Sequence, residues 1–171
     1  MSATSVSPQA LAILGGSPVR ETLLPYGRQS VDDADIQAVV DVLHSDWLTT
    51  GPKVGEFEEA FAARVGVAHA VSFSSGTAAL HAAAFAAGLT AGDEAITTPM
   101  TFAATANCAL YQGATPVFAD VCSDTLNIDP EQIAKKISSR TRAILPVAYA
   151  GHPADLDAIQ QIAEQVAGNL F

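Results

Sequence analysis

Along the first third of the chain, apolar positions recur at helical spacing. In "DDADIQAVVDVLHSDW", Ile36, Val39, Val40 and Leu43 fall at i, i+3, i+4 and i+7. This predicts an amphipathic helix with Asp32, Asp33 and Asp35 at its positive start. The loop "LTTGPKVG" interrupts it, and a second helix is predicted with Phe57, Ala60, Phe61 and Val65 on one face. From His69 the pattern changes. "HAVSF" (His69–Phe73), "EAITT" (Glu94–Thr98), "TPVFAD" (Thr115–Asp120) and "RAILPVAYA" (Arg142–Ala150) read as four short strands. Helical stretches alternate with them over Ala78–Ala87, Phe102–Gln112 and Pro130–Ile137. A last helix, "ADLDAIQQIAEQ", aligns Leu156, Ile159, Ala163 and Val166. Such alternation predicts right-handed βαβ units and a parallel sheet covered on both faces, an α/β fold. Ligands of such sheets sit at the carboxyl ends of the strands. The turns of interest are therefore Ser74–Thr77, Pro99–Phe102, Asp120–Asn127 and Ala148–Pro153. The pattern also calls for a further strand after the last helix, so the chain is expected to stop within a domain.

Composition narrows the partners. The 171 residues suit one domain, and 49% are apolar, enough for a core. A formal charge of −10 without a basic stripe argues against a nucleic-acid partner. No apolar run reaches membrane-spanning length, and "MSATSVSPQA" lacks the features of a secretory signal. Cys108 and Cys122 have neither metal spacing nor the look of a disulfide framework. They read as reduced, buried residues of a cytoplasmic protein.

The turn "SSGT" carries the first candidate chemistry. Ser74, Ser75, Gly76 and Thr77 stand between a strand and a run of strong helix formers. The first amides of a helix lack internal partners and lie at its positive end, which makes an anion site. The same residues are also good N-caps, and by themselves they read more readily as a cap.

Several turns together resemble one family, the DegT/StrS-type pyridoxal-phosphate-dependent sugar aminotransferases. The resemblance is carried by "LPYGRQSVDDADIQAVVDVLHSDWLTTGPKVGEFEEAFAARVG", "SSGTAAL", "GDEAITTPMTFAATANCALYQGATPVFADV", "LNIDPEQI" and "PVAYAGHPADLDAI". It runs from about Leu24 to Gln165. Within the family the chain is most similar to transaminases acting on a UDP-linked 4-keto-6-deoxy-N-acetylhexosamine on the way to pseudaminic acid. The resemblance implies an incomplete parallel-sheet large domain of a fold-type I pyridoxal-phosphate-dependent transferase. The implied divisions are a partly disordered extension (1–24), a helical segment (25–66) and a truncated α/β cofactor-binding domain (67–171). "VAGNLF" does not continue the family pattern, which suggests a frame change after about Gln165.

The resemblance also implies site residues. Ser75, Gly76 and Thr77 would hold the phosphate of pyridoxal 5'-phosphate. Phe102 would stack on its ring, with Thr101 and Thr105 in register. Trp47, Thr49 and Thr50 would meet a nucleotide sugar, and Arg28 a diphosphate or carboxylate. The donor is generally glutamate, and family members work as homodimers. One departure lies in "PVAYAG", where Ala148 replaces a histidine common in the family and His152 follows four residues later. The Schiff-base lysine and the carboxylate that meets the pyridine nitrogen are missing: Lys53, Lys135 and Lys136 lie in a loop and on a helix, and Asp120 matches a different family position. No catalytic residue and no metal site are therefore assigned. The expectation is an N-terminal fragment of an aminotransferase, inactive alone. Alternatives are a non-catalytic nucleotide-sugar or phosphate-binding module, or an enzyme completed by a separate chain that brings the lysine.

Overall fold

Strand β1 (Glu94–Thr97) is buried at every residue, so its backbone groups need partners on both sides. The computed structural model, which describes residues 10–25 and 27–166 (the last by its backbone), supplies them. β2 (Thr115–Phe118) and β3 (Thr141–Leu145) flank β1 in parallel, in the order β2-β1-β3. Pro116, which has no N–H to donate, sits on an edge strand, where that loss is tolerated. The β1–β3 register shifts between Glu94 and Ala95. Arg142, passed over by this shift, turns its guanidinium to Asp93 at 3.4 Å.

Side-chain alternation along β1 feeds two cores. Ala95 and Ala143 point into one with Ala84, Leu89, Cys108, Ala109 and Ala114, beneath α3 (Gly76–Ala86) and α4 (Ala104–Tyr111). Ile96 points into the other with Ala119, Ile128, Ile133 and Ile159, beneath α5 (Pro130–Lys136) and α6 (Leu156–Val166). The sheet is thus covered on both faces. The chain steps one way from β1 to β2 and back across β1 to β3. With right-handed crossovers, such a reversal puts α4 and α5 on opposite faces.

Ahead of these elements come α1 (Asp33–Leu43) and α2 (Pro52–Val65). Asp32 caps α1 in a reciprocal capping box with Asp35. The chain divides into two compact units, one ending at Gly55 and the other starting at Glu56, with α2 running across the division. The α1 stripe read from the sequence forms, but it is not core: Ile36, Val39 and Leu43 are all more than half exposed.

Three of the four expected strands join the sheet. Residues 69–73 do not: Val71 is 70% exposed, and Ser72 is held by Glu58, which accepts from both its N–H and its hydroxyl (2.7 and 2.8 Å). A β-preferring sequence becomes a strand only beside another strand, and none lies there among the described residues. β3 also stops at Leu145, short of Ala150, because Pro146 interrupts the donor ladder. Residues 1–9 and 167–171, where disorder and a frame change were expected, lie outside the described residues, as does the Val166 side chain. No helix among the described residues is long and apolar enough to cross a membrane.

The amino end of β1 is held by charge. Glu94 accepts from the Ser138 hydroxyl at 2.6 Å and pairs with Arg140, whose carbonyl takes the Glu94 N–H at 2.8 Å. The Ser138 hydrogen bond above all, with Arg140, lowers the Glu94 pKa below its ordinary 4.5 despite burial. A carboxyl with a depressed folded pKa stabilises above its unfolded pKa and loses that contribution as pH falls through the folded value. Urea unfolding of Glu94→Gln is therefore expected to show a lower midpoint at neutral pH and a shallower loss of stability below about pH 4.5. Glu58 and Asp93, depressed by hydrogen bonds from Ser72 and Thr90, keep part of the slope.

Candidate functional site

The helices that cover the sheet differ at their N-termini. α5 has Asp129 as cap and Glu131 in its first turn, and α6 begins with Asp157 in its first turn. α3 and α4 have no acidic residue there. The positive ends of α3 and α4 thus carry no carboxylate in their own first turns, although Glu58 lines a cavity with Ser75 and Gly76.

At α3, Ser75 is extended (φ −162°, ψ 160°) and its Oγ accepts from Ala78 N at 3.2 Å. The Gly76 and Thr77 N–H groups have no hydrogen-bond partner among the described residues. Gly76 does not have a positive φ, and a Cβ there would meet nothing within 4 Å. Its missing side chain leaves the helix end open. Both sequence readings of this turn are thus compatible: the serine hydroxyl caps one amide and leaves two others facing outward.

β1 runs into a second polar turn. Thr97 Oγ1 donates to Leu145 O at 2.9 Å, joining the ends of β1 and β3. Thr98 Oγ1 accepts from Met100 N at 3.1 Å, and the Thr101 and Thr105 hydroxyls share a 2.8 Å bond. Thr105 is buried and its N–H donates to Phe102 O at 3.0 Å. The threonines fix the turn from within, and Phe102 is left 76% exposed. Cys108 donates to Thr105 O at 3.1 Å, and burial raises its pKa, so the thiol stays protonated.

The other candidates belong to the first unit. Trp47 and Thr50 line a cavity of about 210 Å³ together with Ser45, Leu48, Pro52 and Lys53. Thr50 holds a left-handed φ of 50°, and a Cβ at Gly51 would come within 2.7 Å of Trp47 Cβ, so this loop needs its glycine. Thr49 and Arg28 are exposed and outside the lining of that cavity. Lys135 and Lys136 end α5, and Lys53 lies in the first turn of α2.

Asn127, not singled out from the sequence, is buried and ties the loop after β2 to the turn after β3. No local signal marks it: between apolar Leu126 and Ile128, alternation alone would turn an amide to solvent.

Fold and turns together define an α/β protein of the kind found in pyridoxal-phosphate-dependent aminotransferases, with one donor-rich turn at the carboxyl end of β1 and another at the start of α3. The chain belongs to the DegT/DnrJ/EryC1/StrS aminotransferase family, which it matches over residues 29–168. It is 48% identical over 145 residues to the spore coat polysaccharide biosynthesis protein SpsC of Bacillus subtilis (strain 168), covering 85% of this chain and 37% of SpsC. Spr1654 of Streptococcus pneumoniae, assigned as a sugar aminotransferase and solved in its PLP form, superposes with a TM-score of 0.81 at 33% identity, over 86% of this chain and 38% of that one. PseC of Helicobacter pylori, an aminotransferase involved in the biosynthesis of pseudaminic acid, superposes with a TM-score of 0.77 at 38% identity, over 83% of this chain and 38% of its own. The chain thus spans well under half the length of these relatives.

The residues present fit the family's cofactor. Two unpaired amides, flanking hydroxyls and an open helix end suit a phosphate, and an exposed ring held by its own turn suits a planar aromatic partner. The capping bond can be tested separately. Ser75→Ala is expected to lower stability by about 1 kcal/mol, read by urea unfolding, because Ala78 N loses its acceptor.

Proposed function

We propose that this chain forms the phosphate-holding and nucleotide-sugar-facing part of a pyridoxal-phosphate-dependent sugar-nucleotide aminotransferase. The reaction moves an amino group from glutamate to the 4-keto carbon of a nucleotide-linked deoxysugar. The family and the likeness to PseC favour UDP-4-amino-4,6-dideoxy-N-acetyl-β-L-altrosamine as the product, in pseudaminic acid biosynthesis. A place in cell-surface polysaccharide synthesis agrees with the likeness to SpsC. A cytoplasmic homodimer belongs to the same reading. The observation that carries the proposal is the α3 N-terminus, with no acidic residue in its first turn and the Gly76 and Thr77 amides unpaired.

When bound, pyridoxal phosphate supplies an aldehyde for the amino group and a ring that accepts electrons from the bond being broken. In our reading the chain's own residues bind and orient. The Gly76 and Thr77 amides and the Ser75 and Thr77 hydroxyls hold the phosphate. Phe102 covers one ring face and excludes water, on a turn braced by Thr101 and Thr105. Trp47, Thr49, Thr50 and Arg28 meet the sugar nucleotide. No lysine of the chain lies at the carboxyl end of a strand, so residues 1–171 alone do not perform the transfer. That same observation favours, as a second reading, a binding module without catalysis.

Binding of pyridoxal phosphate and of unphosphorylated pyridoxal, followed by fluorescence, tests the proposal. Pyridoxal phosphate is expected to bind at least about tenfold more tightly, a difference of roughly 1.4 kcal/mol. Phe102→Ala should weaken both ligands. Gly76→Asp should abolish the preference for phosphate while raising helix stability by about 0.3–1 kcal/mol, because a carboxylate then compensates the α3 end. Borohydride should fix no cofactor to the isolated chain. Equal affinity for the two ligands sinks the phosphate assignment, and a fixed adduct on Lys53, Lys135 or Lys136 sinks the claim of inactivity.

A further inference from the structure

The loop after β2 and the turn after β3 leave the same edge of the sheet, and one buried side chain joins them. Asn127 is 4% exposed. Its Oδ1 accepts from Tyr149 N at 2.9 Å, and its Nδ2 donates to His152 O at 3.1 Å and Pro153 O at 3.0 Å. Both amide hydrogens are used, and the oxygen faces an N–H. The partners therefore fix the orientation of the amide, since a flip would set oxygen against two carbonyls and NH2 against a donor. These partners lie 22 to 26 residues away in sequence, so no local preference of either loop brings them together.

The segment between the contacts is a tight left-handed turn. Ala150 has φ 51° and ψ 26°, Gly151 has φ 84°, and His152 N donates to Tyr149 O at 2.9 Å. Two consecutive positive φ values closed by this bond make a type I′ turn. Gly151 adopts its place freely, whereas Ala150 carries a Cβ into a region that L-residues avoid. Leu126, just before Asn127, is also left-handed at φ 59°. Each strained residue thus adjoins the contact that holds it.

We infer that Asn127 is a positioning residue. It holds the Tyr149–His152 turn in its left-handed form and so sets the wall that this turn presents at the carboxyl edge of the sheet. Thr97 pairs with Leu145 and donates to its carbonyl, so the turn starts beside the one that carries Phe102. The effect on a ligand rests on the cofactor reading above, but the clamp itself does not.

The test uses Asn127→Asp, nearly isosteric, in the full chain. An ionised carboxylate would face two carbonyl oxygens, so its neutral form is favoured and its pKa lies above the ordinary value of about 3.9. The protonated form supplies one donor and one acceptor again. Amide exchange at Tyr149 N, corrected for intrinsic rates, is compared with Ile96 N in β1 at about pH 8 and about pH 5. The other titratable groups on the two loops are Asp120, Cys122, Asp124, Asp129, Tyr149, His152 and Asp155, and the unsubstituted chain at both pH values removes their share. The expected result is about tenfold or greater loss of Tyr149 protection at the higher pH, recovery at the lower, and little change at Ile96. Adding Ala150→Gly should restore part of the protection by relieving the left-handed strain. Affinity for pyridoxal phosphate should fall and recover in step.

Unchanged protection at Tyr149, or a loss that neither low pH nor Ala150→Gly reverses, overturns the clamp. Lost protection with undiminished affinity overturns the positioning role. If the unsubstituted chain binds no pyridoxal phosphate, the cofactor reading falls and the clamp is decided by exchange alone.

Discussion

The rest of the sheet depends on burying a four-residue parallel strand on both faces and pairing it on both sides. With Ala95 and Ile96 inaccessible to solvent, water cannot satisfy the β1 backbone, so β2 and β3 must. Each is reached by a helix, and the hand of the crossovers sends those helices to opposite faces. Small residues on one face, Ala95, Ala143 and Ala109 among them, let α3 and α4 approach closely, while isoleucines fill the other. With all strands parallel, the turns after them emerge along one edge. The polar residues of those turns thus share a location because of the connectivity.

Strain is distributed accordingly. Among the described residues, positive φ falls on glycines in ordinary turns such as Gly66, Gly88 and Gly113, and on three residues with side chains: Thr50, Leu126 and Ala150. Those three cost of order 1–3 kcal/mol each and need surroundings that over-determine them. Thr50 adjoins Gly51 and Trp47, and the other two adjoin Asn127 and the turn it holds. Of the three, Thr50 lies in a loop with candidate ligand contacts, and Leu126 and Ala150 lie in the two loops that Asn127 joins.

Periodicity gave the helices and their faces well, since i, i+3, i+4 spacing and the caps are local properties. Asp32, Ser75 and Asp129 all cap as their residue types lead one to expect. It gave less where the outcome depends on a partner. "HAVSF" has the composition of a strand but no ladder, and α1 forms its apolar stripe without burying it. The open end of α3 was legible as two alternatives that the structure makes compatible. The exposed Phe102 ring could be read only through family likeness, because an aromatic beginning a helix usually packs inward. Asn127 escaped because its three partners lie across the fold, and no window along the sequence contains them.

The placement of charge bears on how an anion is held. In the second unit Arg140 and Arg142 engage Glu94 and Asp93 at the amino edge of the sheet, Lys135 and Lys136 end α5 ahead of β3, and Arg64 lies in the last turn of α2. The turn after β1, Pro99–Phe102, and the turn that opens α3, Ser74–Thr77, contain no lysine or arginine. On the proposed reading, in a chain of net charge −10, a phosphate at the α3 turn is drawn by backbone amides and the helix end. Their attraction fades within the first turn of the helix, so position decides it more than charge count does. On that reading the open Gly76 and the braced threonine turn have a common reason: a site built on dipoles works only if its donors are uncovered and its walls hold still.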